Sequence, residues 1–408
     1  MTAERAIALA ESKRYDMVKL LRELIALGGD TGDEGRRANR IKEEMELLGY
    51  HRVELDGMGN ILGYMGDGDR LIAIDGHIDT TGPGDMGRWT LDPKVGAWRD
   101  GYVYGRGASD QLGGVVAAVY AGSIMRDLDL LQGITLLVAG TVQEEDCDGG
   151  CWQYMVREQG ICPEFVLLTE PTDGQVMRGQ RGRMDIRVTT RGLSSHGSAP
   201  ERGVNAIYLM APILQDVERL SRELKGDSFL GPGSLAVSEI FFSSPSRNSV
   251  ADSCSISIDR RLTLGETREF ALQEIMSLPA VRQAGAEVDV YTYDHPSYNG
   301  YRLTQESYFP TWLVDENEPC VKAASAAYEA VFGAPAKVGK WVFSTNGVGI
   351  AGTFGIPCVG FGPGREAEAH APDEKVAVDE IVSAAALYVL VGEAATHQPL
   401  PPGASQHR

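Results

Sequence analysis

Two adjacent glutamates, Glu144 and Glu145, follow the apolar stretch ITLLVAGTV, which is typical of a buried strand. Because their charges repel, such a pair needs either solvent or a compensating positive charge. A divalent metal ion supplies that charge, since one glutamate can bind the ion while its neighbour holds a proton derived from water. The alternative is that both are solvated loop residues, and the pair alone does not decide between the two.

Further acids and histidines stand at the ends of other predicted strands. They are His77 and Asp79 in DGHIDTTGPGD, Asp110 in GRGASDQLGG, Glu170 in LLTEPTD and His370 in EAEAHAPDE. Sites in open α/β sheets form beyond the carboxyl ends of the strands, so these side chains are expected to converge. Any one of them alone could be a helix cap or loop residue. Their repetition at successive strand ends favours a site for two divalent ions.

The elements that carry these residues alternate between short apolar strands and helices over residues 1–180, which predicts a parallel α/β layer. Over residues 181–295 the order becomes β-α-β-β-α-β, a ferredoxin-like unit with its own small sheet. The alternation of strands and helices resumes over residues 296–408. We therefore predict a parallel-rich α/β domain built from the two outer segments, with a smaller domain inserted between them.

Composition excludes several classes of function. The chain has 408 residues, 43% of them hydrophobic, and a formal net charge of −19, which disfavours nucleic acid and anionic membrane surfaces as partners. The N-terminus has no signal-peptide pattern, and the longest apolar runs are too short to cross a bilayer. Six cysteines without paired spacing suit a reducing compartment, so we predict a cytoplasmic protein.

The order of the motifs is that of a known family. His-x-Asp, Gly-x-Gly-x-x-Asp, Glu-Glu, a strand-end acid and a late His together resemble the two-zinc amidohydrolases. These include acetylornithine deacetylase, succinyl-diaminopimelate desuccinylase and glutamate carboxypeptidase. The longer stretches GTVQEEDCDGGCWQY, SHGSAPERGVNAI and KWVFSTNGVGI resemble a hydrolase branch linked to selenium metabolism, a label that fixes no substrate.

The resemblance implies a set of metal ligands. His77 and Glu170 would bind one ion, Glu145 and His370 the other, and Asp110 would bridge the two. Imidazole and carboxylate ligands suit Zn²⁺, with Mn²⁺ or Co²⁺ as substitutes.

The resemblance also implies catalytic and substrate-binding roles. Asp79 would orient a ligand imidazole, and Glu144 would act as general base and later as proton donor. His196 would stabilise the oxyanion in the site of the other subunit of a homodimer formed through the inserted domain, which would also act as a lid. Asn248 and Arg261 would hold a substrate carboxylate. A local hydrogen bond remains the alternative for His196, and a strand-end salt bridge for Arg261.

Some positions depart from the family pattern or invite a different interpretation. Gln111 and Leu112 replace the commoner Met-Lys, and Asn346 stands where many members have an acid, so substrate preference cannot be transferred. Arg260, beside Arg261, is expected to face the opposite side of a regular strand.

The sequence therefore predicts a metal-dependent hydrolase. It would cleave an amide-type C–N bond of a small carboxylate-bearing molecule by attack of a metal-bridging hydroxide. A dipeptide, an N-acyl amino acid and an N-carbamoyl amino acid all fit. Two alternatives stay open: a catalytically silent binding or assembly subunit, which has no need of the base Glu144, and an enzyme with one tight metal site.

Overall fold

The structure is a computed structural model that describes residues 2–396, and its elements alternate as the sequence predicts. Its α-helices are α1 (Thr2–Ser12), α2 (Arg14–Leu27), α3 (Gly35–Leu47), α4 (Gly113–Asp127), α5 (Gly150–Gln159), α6 (Ala206–Ser221), α7 (Arg268–Met276), α8 (Pro279–Ala284), α9 (Pro319–Phe332) and α10 (Val378–Thr396). Its strands are β1 (Arg52–Leu55), β2 (Ile61–Gly66), β3 (Arg70–His77), β4 (Ala97–Arg99), β5 (Tyr102–Tyr104), β6 (Ile134–Thr141), β7 (Val166–Leu168), β8 (Val176–Gln180), β9 (Gly182–Arg191), β10 (Gly226–Asp227), β11 (Gly231–Pro232), β12 (Ser234–Ser243), β13 (Ser253–Leu262), β14 (Glu287–Val290), β15 (Thr292–Tyr293), β16 (Gln305–Glu306), β17 (Tyr308–Phe309), β18 (Trp312–Leu313), β19 (Val338–Trp341), β20 (Cys358–Gly360) and β21 (Lys375–Ala377).

The larger sheet has the strand order β1-β2-β6-β3-β7-β20-β8-β18, and β19 also pairs with β8. Its centre is parallel, because β6, β3, β7 and β20 pair in one direction. The flanking pairs β1–β2, β2–β6 and β8–β18 are antiparallel. This arrangement confirms the predicted parallel-rich α/β architecture.

Helix α4 packs tightly behind the ends of these central strands. Its first turn contains Gly114, where an added Cβ would lie 2.4 Å from the backbone oxygen of Thr169. Gly362, just after β20, would place a Cβ 2.0 Å from the same oxygen. Only glycine permits both approaches, which press two chain segments against the loop that follows β7.

The second sheet is antiparallel and has the order β12-β13-β9-β14, with the short strand β17 also paired to β9. Along the chain, β9, α6, β12, β13, α7–α8 and β14 follow one another in the predicted β-α-β-β-α-β order. Met184, Ile186 and Val188 of β9 are buried in a core separate from that of the larger sheet. Strand β17 joins this sheet from beyond residue 295, and the domain boundaries at 180 and 295 stay a prediction.

No helix among residues 2–396 is both long and apolar enough to cross a membrane.

Candidate metal centre

Three neighbouring parallel strands deliver acidic and imidazole side chains to one edge of the larger sheet. Strand β3 ends at His77, β6 ends three residues before Glu144, and β7 ends two residues before Glu170. Because β3 lies between β6 and β7, the three side chains meet beyond the carboxyl ends of the strands.

Asp110 lies between two imidazoles at this edge. Its Oδ1 is 3.1 Å from Nε2 of His77, and its Oδ2 is 3.3 Å from Nε2 of His370. Nε2 of His370 is also 2.9 Å from Oε2 of Glu145. One carboxylate thus faces two histidines with different oxygens, which is the arrangement that a bridging ligand requires.

The remaining acids complete the cluster around His77. Its Nε2 is 3.6 Å from Oε2 of Glu144 and 3.8 Å from Oε1 of Glu170. Candidate ligand atoms lie within 4.8 Å of one another in two sets, His77 with Asp110 and Glu145, and His77 with Glu144 and Glu170. The structure therefore brings together all five predicted ligands and the predicted base.

The electrostatics of the cluster suit bound cations. Burial raises the pKa of Glu144 and of Glu170 well above the usual range, and neighbouring carboxylates raise both further. Hydrogen bonds to Asp110 and Glu145 raise the pKa of His370 to about 10. Oε1 of Glu144 is buried and has no hydrogen-bond partner among the described residues. Concentrated carboxylates, two imidazoles and an unpartnered buried oxygen fit divalent ions.

Asp79 holds the loop that carries the paired glutamates. Its Oδ1 accepts a hydrogen bond from the backbone N–H of Glu144, and its Oδ2 accepts one from that of Glu145, both at 3.1 Å. Thr31 donates to the same Oδ2 at 2.8 Å. The imidazole Nδ1 of His77 lies 2.9 Å from the backbone oxygen of Asp79 and 3.5 Å from its carboxylate. The predicted role of orienting the imidazole thus falls mainly to the backbone oxygen, while the carboxylate fixes both glutamates.

Glu374 fixes the loop that carries Asp110, and no motif in the sequence indicates this role. Its fully buried carboxylate accepts hydrogen bonds from the backbone N–H groups of Gly107, Ser109 and Asp110 at 3.0, 2.9 and 3.0 Å. Arg106 donates to it at 2.6 Å. Glu374 lies four residues after His370, and that proximity to a predicted ligand was the only signal available in the sequence.

The two departures from the family pattern lie beneath the cluster. Gln111 accepts a hydrogen bond from Thr169 at 2.5 Å, and Asn346 donates to Asp75 at 3.0 Å and accepts from the backbone of Gly149 at 2.9 Å. Neither Gln111 nor Asn346 is among the residues that line the adjoining cavity. Both side chains therefore stabilise the chain at the strand ends and do not line the cavity.

A cavity of about 400 Å³ connects the cluster with the second sheet. Arg261 of β13 lines it, as predicted for a substrate-binding residue. Arg183 of β9 and Asp148 also line it, and no sequence motif indicates either of them.

Two other predicted site residues, His196 and Asn248, are not among the residues that line this cavity. They lie side by side on an exposed part of the chain, where the carbonyl of Asn248 accepts a hydrogen bond from the residue after His196 at 2.6 Å.

Neighbouring arginines on β13 face opposite sides of the second sheet. Arg260 is buried and binds Glu266 at 2.8 Å and Glu274 at 2.9 Å, as the strand alternation predicts. Arg261 lines the cavity and also forms two hydrogen bonds with Asp259, at 2.8 and 3.0 Å. The two interpretations of Arg261, cavity residue and salt bridge, are therefore compatible.

Comparison with known proteins places this geometry in a family. Residues 73–393 match the model of peptidase family M20/M25/M40. The chain belongs to this family. A relative in Escherichia coli (strain K12), named Uncharacterized protein YgeY, is 56% identical over 387 residues, covering 94% of this chain and 96% of that protein. Succinyl-diaminopimelate desuccinylase of Sulfurimonas denitrificans is 27% identical over 377 residues, covering 89% of this chain and 95% of that enzyme.

A solved structure of the M20 family has the same fold. The Bacillus subtilis YXEP protein, described as a dinuclear metal binding peptidase, superposes with a TM-score of 0.69 at 13% identity and covers 94% of this chain and 98% of that one. Its likeness to this chain shows the fold.

Proposed function

We propose that this protein is a dinuclear metal-dependent hydrolase that cleaves an amide-type C–N bond of a small carboxylate-bearing substrate. The observation that carries the proposal is the position of Asp110 between His77 and His370, next to the buried Glu144. Membership of the M20/M25/M40 family, whose peptidases are metal-dependent, supports the reaction class. The desuccinylase relative supports an acylated amino compound as one form of substrate.

His77 and Glu170 would hold one ion, Glu145 and His370 the other, and Asp110 both, with Zn²⁺ the first choice and Mn²⁺ or Co²⁺ the substitutes. When bound, such ions supply Lewis-acid activation of water and of the scissile carbonyl. The description of the Bacillus subtilis protein as a dinuclear metal binding peptidase supports the same occupancy here.

Glu144 is the proton carrier of the proposed reaction. Glu144 is 4% exposed, and this burial raises the pKa of its carboxyl well above the usual range. Its free Oε1 takes the proton of the attacking water and gives it to the leaving nitrogen. Asp79 keeps Glu144 in place through the backbone, so that the acid enters the cavity in one orientation.

The inserted sheet supplies the groups that bind the substrate. Arg261 would bind its carboxylate from across the cavity. His196 and Asn248 would complete the site of a second copy of the chain, with His196 donating to the oxyanion and Asn248 to the substrate. An exposed apolar edge supports such a homodimer, because Ile240, Phe241 and Phe242 of the edge strand β12 are 57%, 45% and 67% exposed.

Amine release tests the proposal directly. Metal-stripped protein is reconstituted with Zn²⁺, Mn²⁺ or Co²⁺ and assayed on dipeptides and on N-acetyl, N-succinyl and N-carbamoyl amino acids. We expect turnover of at least one class, and loss of that turnover when the metal is removed. Full turnover in the metal-stripped protein would contradict the metal-dependent mechanism, and no turnover of any class would contradict the proposed substrate group.

A further inference from the structure

Two arginines stand directly opposite each other on the lining of the cavity. In the register of β9 and β13, Arg183 pairs with Arg261, and both side chains line the cavity that contains the metal cluster. Like charges at facing positions of an antiparallel pair are destabilising unless an anion lies between them. Asp185 and Asp259, the next facing pair on the same side, supply two negative charges, but Asp259 is already hydrogen-bonded to Arg261.

Arg183 contacts an aromatic ring and a carboxylate but is not saturated by hydrogen bonds. Its guanidinium carbon lies 4.6 Å from the centre of the Phe309 ring, a cation–π distance, and Phe309 is buried in the larger core. Its Nη2 is 3.6 Å from Oδ2 of Asp148, too long for a hydrogen bond. Nε of Arg183 and Oδ2 of Asp148 are both buried and have no hydrogen-bond partner among the described residues.

Asp148 and Ser344 line the same cavity as Arg183. The hydroxyl of Ser344 accepts a hydrogen bond from Gln180 at 3.2 Å. Asp148 is 4% exposed, and its carboxylate lies beside the guanidinium of Arg183 on the lining of the cavity. Of the two arginines, Arg261 forms two hydrogen bonds with Asp259, whereas the guanidinium of Arg183 forms no hydrogen bond with the described residues.

We propose that Arg183 is a specificity-determining residue, which receives a carboxylate of the substrate between itself and Arg261, while Asp148 positions it. This inference rests on the proposed function and deepens it, because it names the group that selects for carboxylate-bearing substrates. A planar guanidinium matches a carboxylate with two parallel hydrogen bonds, a fit that a lysine or a neutral residue does not reproduce. Two observations argue against a purely structural salt bridge between Arg183 and Asp148. Nη2 of Arg183 lies 3.6 Å from Oδ2 of Asp148, and the buried Nε of Arg183 has no hydrogen-bond partner among the described residues.

Binding of matched probes tests the role without requiring turnover. The zinc-reconstituted full chain, carrying Glu144→Gln to prevent hydrolysis, is titrated calorimetrically with three pairs of compounds. These are N-acetyl-L-alanine, N-carbamoyl-L-alanine and glycyl-L-alanine, each compared with its C-terminal amide. The preference for carboxylate over amide is then measured in the Arg183→Met, Arg183→Lys and Arg187→Met variants. Arg187 is the matched control, since it lies on the same face of β9, also contacts an aromatic ring and does not line the cavity.

We expect a carboxylate preference of roughly 10- to 100-fold in the protein with Arg183 intact, since charged hydrogen bonds have that strength. Arg183→Met should remove most of this preference and leave only the share that Arg261 supplies, Arg183→Lys should retain more of it than Arg183→Met, and Arg187→Met should leave it unchanged. Circular dichroism of each variant verifies the fold. An unchanged preference in Arg183→Met, or no carboxylate preference in any pair before Arg183 is changed, overturns the inference. If only the hydrolase proposal fails, the result is different. The protein with Glu144 intact then binds the carboxylate compounds selectively but hydrolyses none of them.

Discussion

The carboxylate of Glu374 accepts a hydrogen bond from the backbone N–H of Asp110, with 3.0 Å between Oε1 and N. The two residues are 264 positions apart in the sequence. Their hydrogen bond fixes the loop from which Asp110 contacts His77 and His370. Glu374 therefore positions the loop of the candidate metal centre, although it is not one of the candidate ligands.

Glu374→Gln should weaken metal retention. An amide can accept only through its single oxygen, so at least one of the backbone N–H groups now bound to Glu374 loses its partner. We expect metal affinity to fall by about 10- to 100-fold, as is typical of residues that support ligands. Competition with a chromophoric chelator measures this. Glu158→Gln on the exposed side of α5 is the control, and equal affinities in the two variants would contradict the role of Glu374.

Asp79→Asn should reduce turnover more than metal content. The amide nitrogen cannot accept a hydrogen bond, so the backbone of either Glu144 or Glu145 loses its anchor. We expect kcat to fall by roughly 10- to 100-fold, because the base is no longer held in one orientation. Steady-state kinetics with metal analysis of the same samples measures both effects, and a variant with unchanged kcat would show that the anchor is dispensable.

Substitution of two neighbouring arginines should have opposite consequences. Arg260→Met removes the partner of Glu266 and Glu274 inside the second core, and we expect a loss of about 3 to 5 kcal/mol in the free energy of unfolding. Arg261→Met removes a side chain that lines the cavity, so it should raise KM for carboxylate substrates. Its effect on the free energy of unfolding should be much smaller than that of Arg260→Met. Urea unfolding and steady-state kinetics of both variants separate the two roles. A large loss of stability in Arg261→Met, with KM unchanged, would assign it to the salt bridge with Asp259 alone.

The exposed edge of β12 should mediate dimerisation. Phe242→Lys introduces charge on a side chain that is 67% exposed, and we expect sedimentation velocity to show a shift from dimer to monomer. Turnover should fall as well, because His196 would no longer reach the second site. Leu47→Lys, at another exposed apolar position in α3, is the control. A monomeric protein with Phe242 intact and full activity would contradict the shared site.

The residues whose placement could be predicted from the sequence are those whose position follows from local pattern and parallel topology. His77 and Glu170 terminate or closely follow buried strands, and adjacent parallel strands must bring such residues to one edge. Arg260 and Arg261 followed in the same way from the alternation of a strand.

Other features depend on contacts that no local pattern contains. Glu374 acts through backbone N–H groups distant in sequence, and its own surroundings resemble those of any loop acid. The sequence shows that Arg183 and Asp185 alternate with the apolar Met184, which is buried. That Arg183 lies opposite Arg261 depends on the register between β9 and β13. His196 and Asn248 lie outside the cavity of their own chain, so the roles proposed for them require a second copy.

The most direct test of the central claim compares Glu144→Gln with the protein that retains Glu144, both reconstituted with Zn²⁺. Metal content is measured by mass spectrometry and turnover by amine release on the best substrate of the panel. We expect two bound ions per chain in both proteins and a loss of kcat of about 10²- to 10⁴-fold in the variant, since Glu144 carries the proton while other residues hold the ions. Equal turnover in the two proteins, or saturation at one ion per chain, would contradict this account of the metal centre.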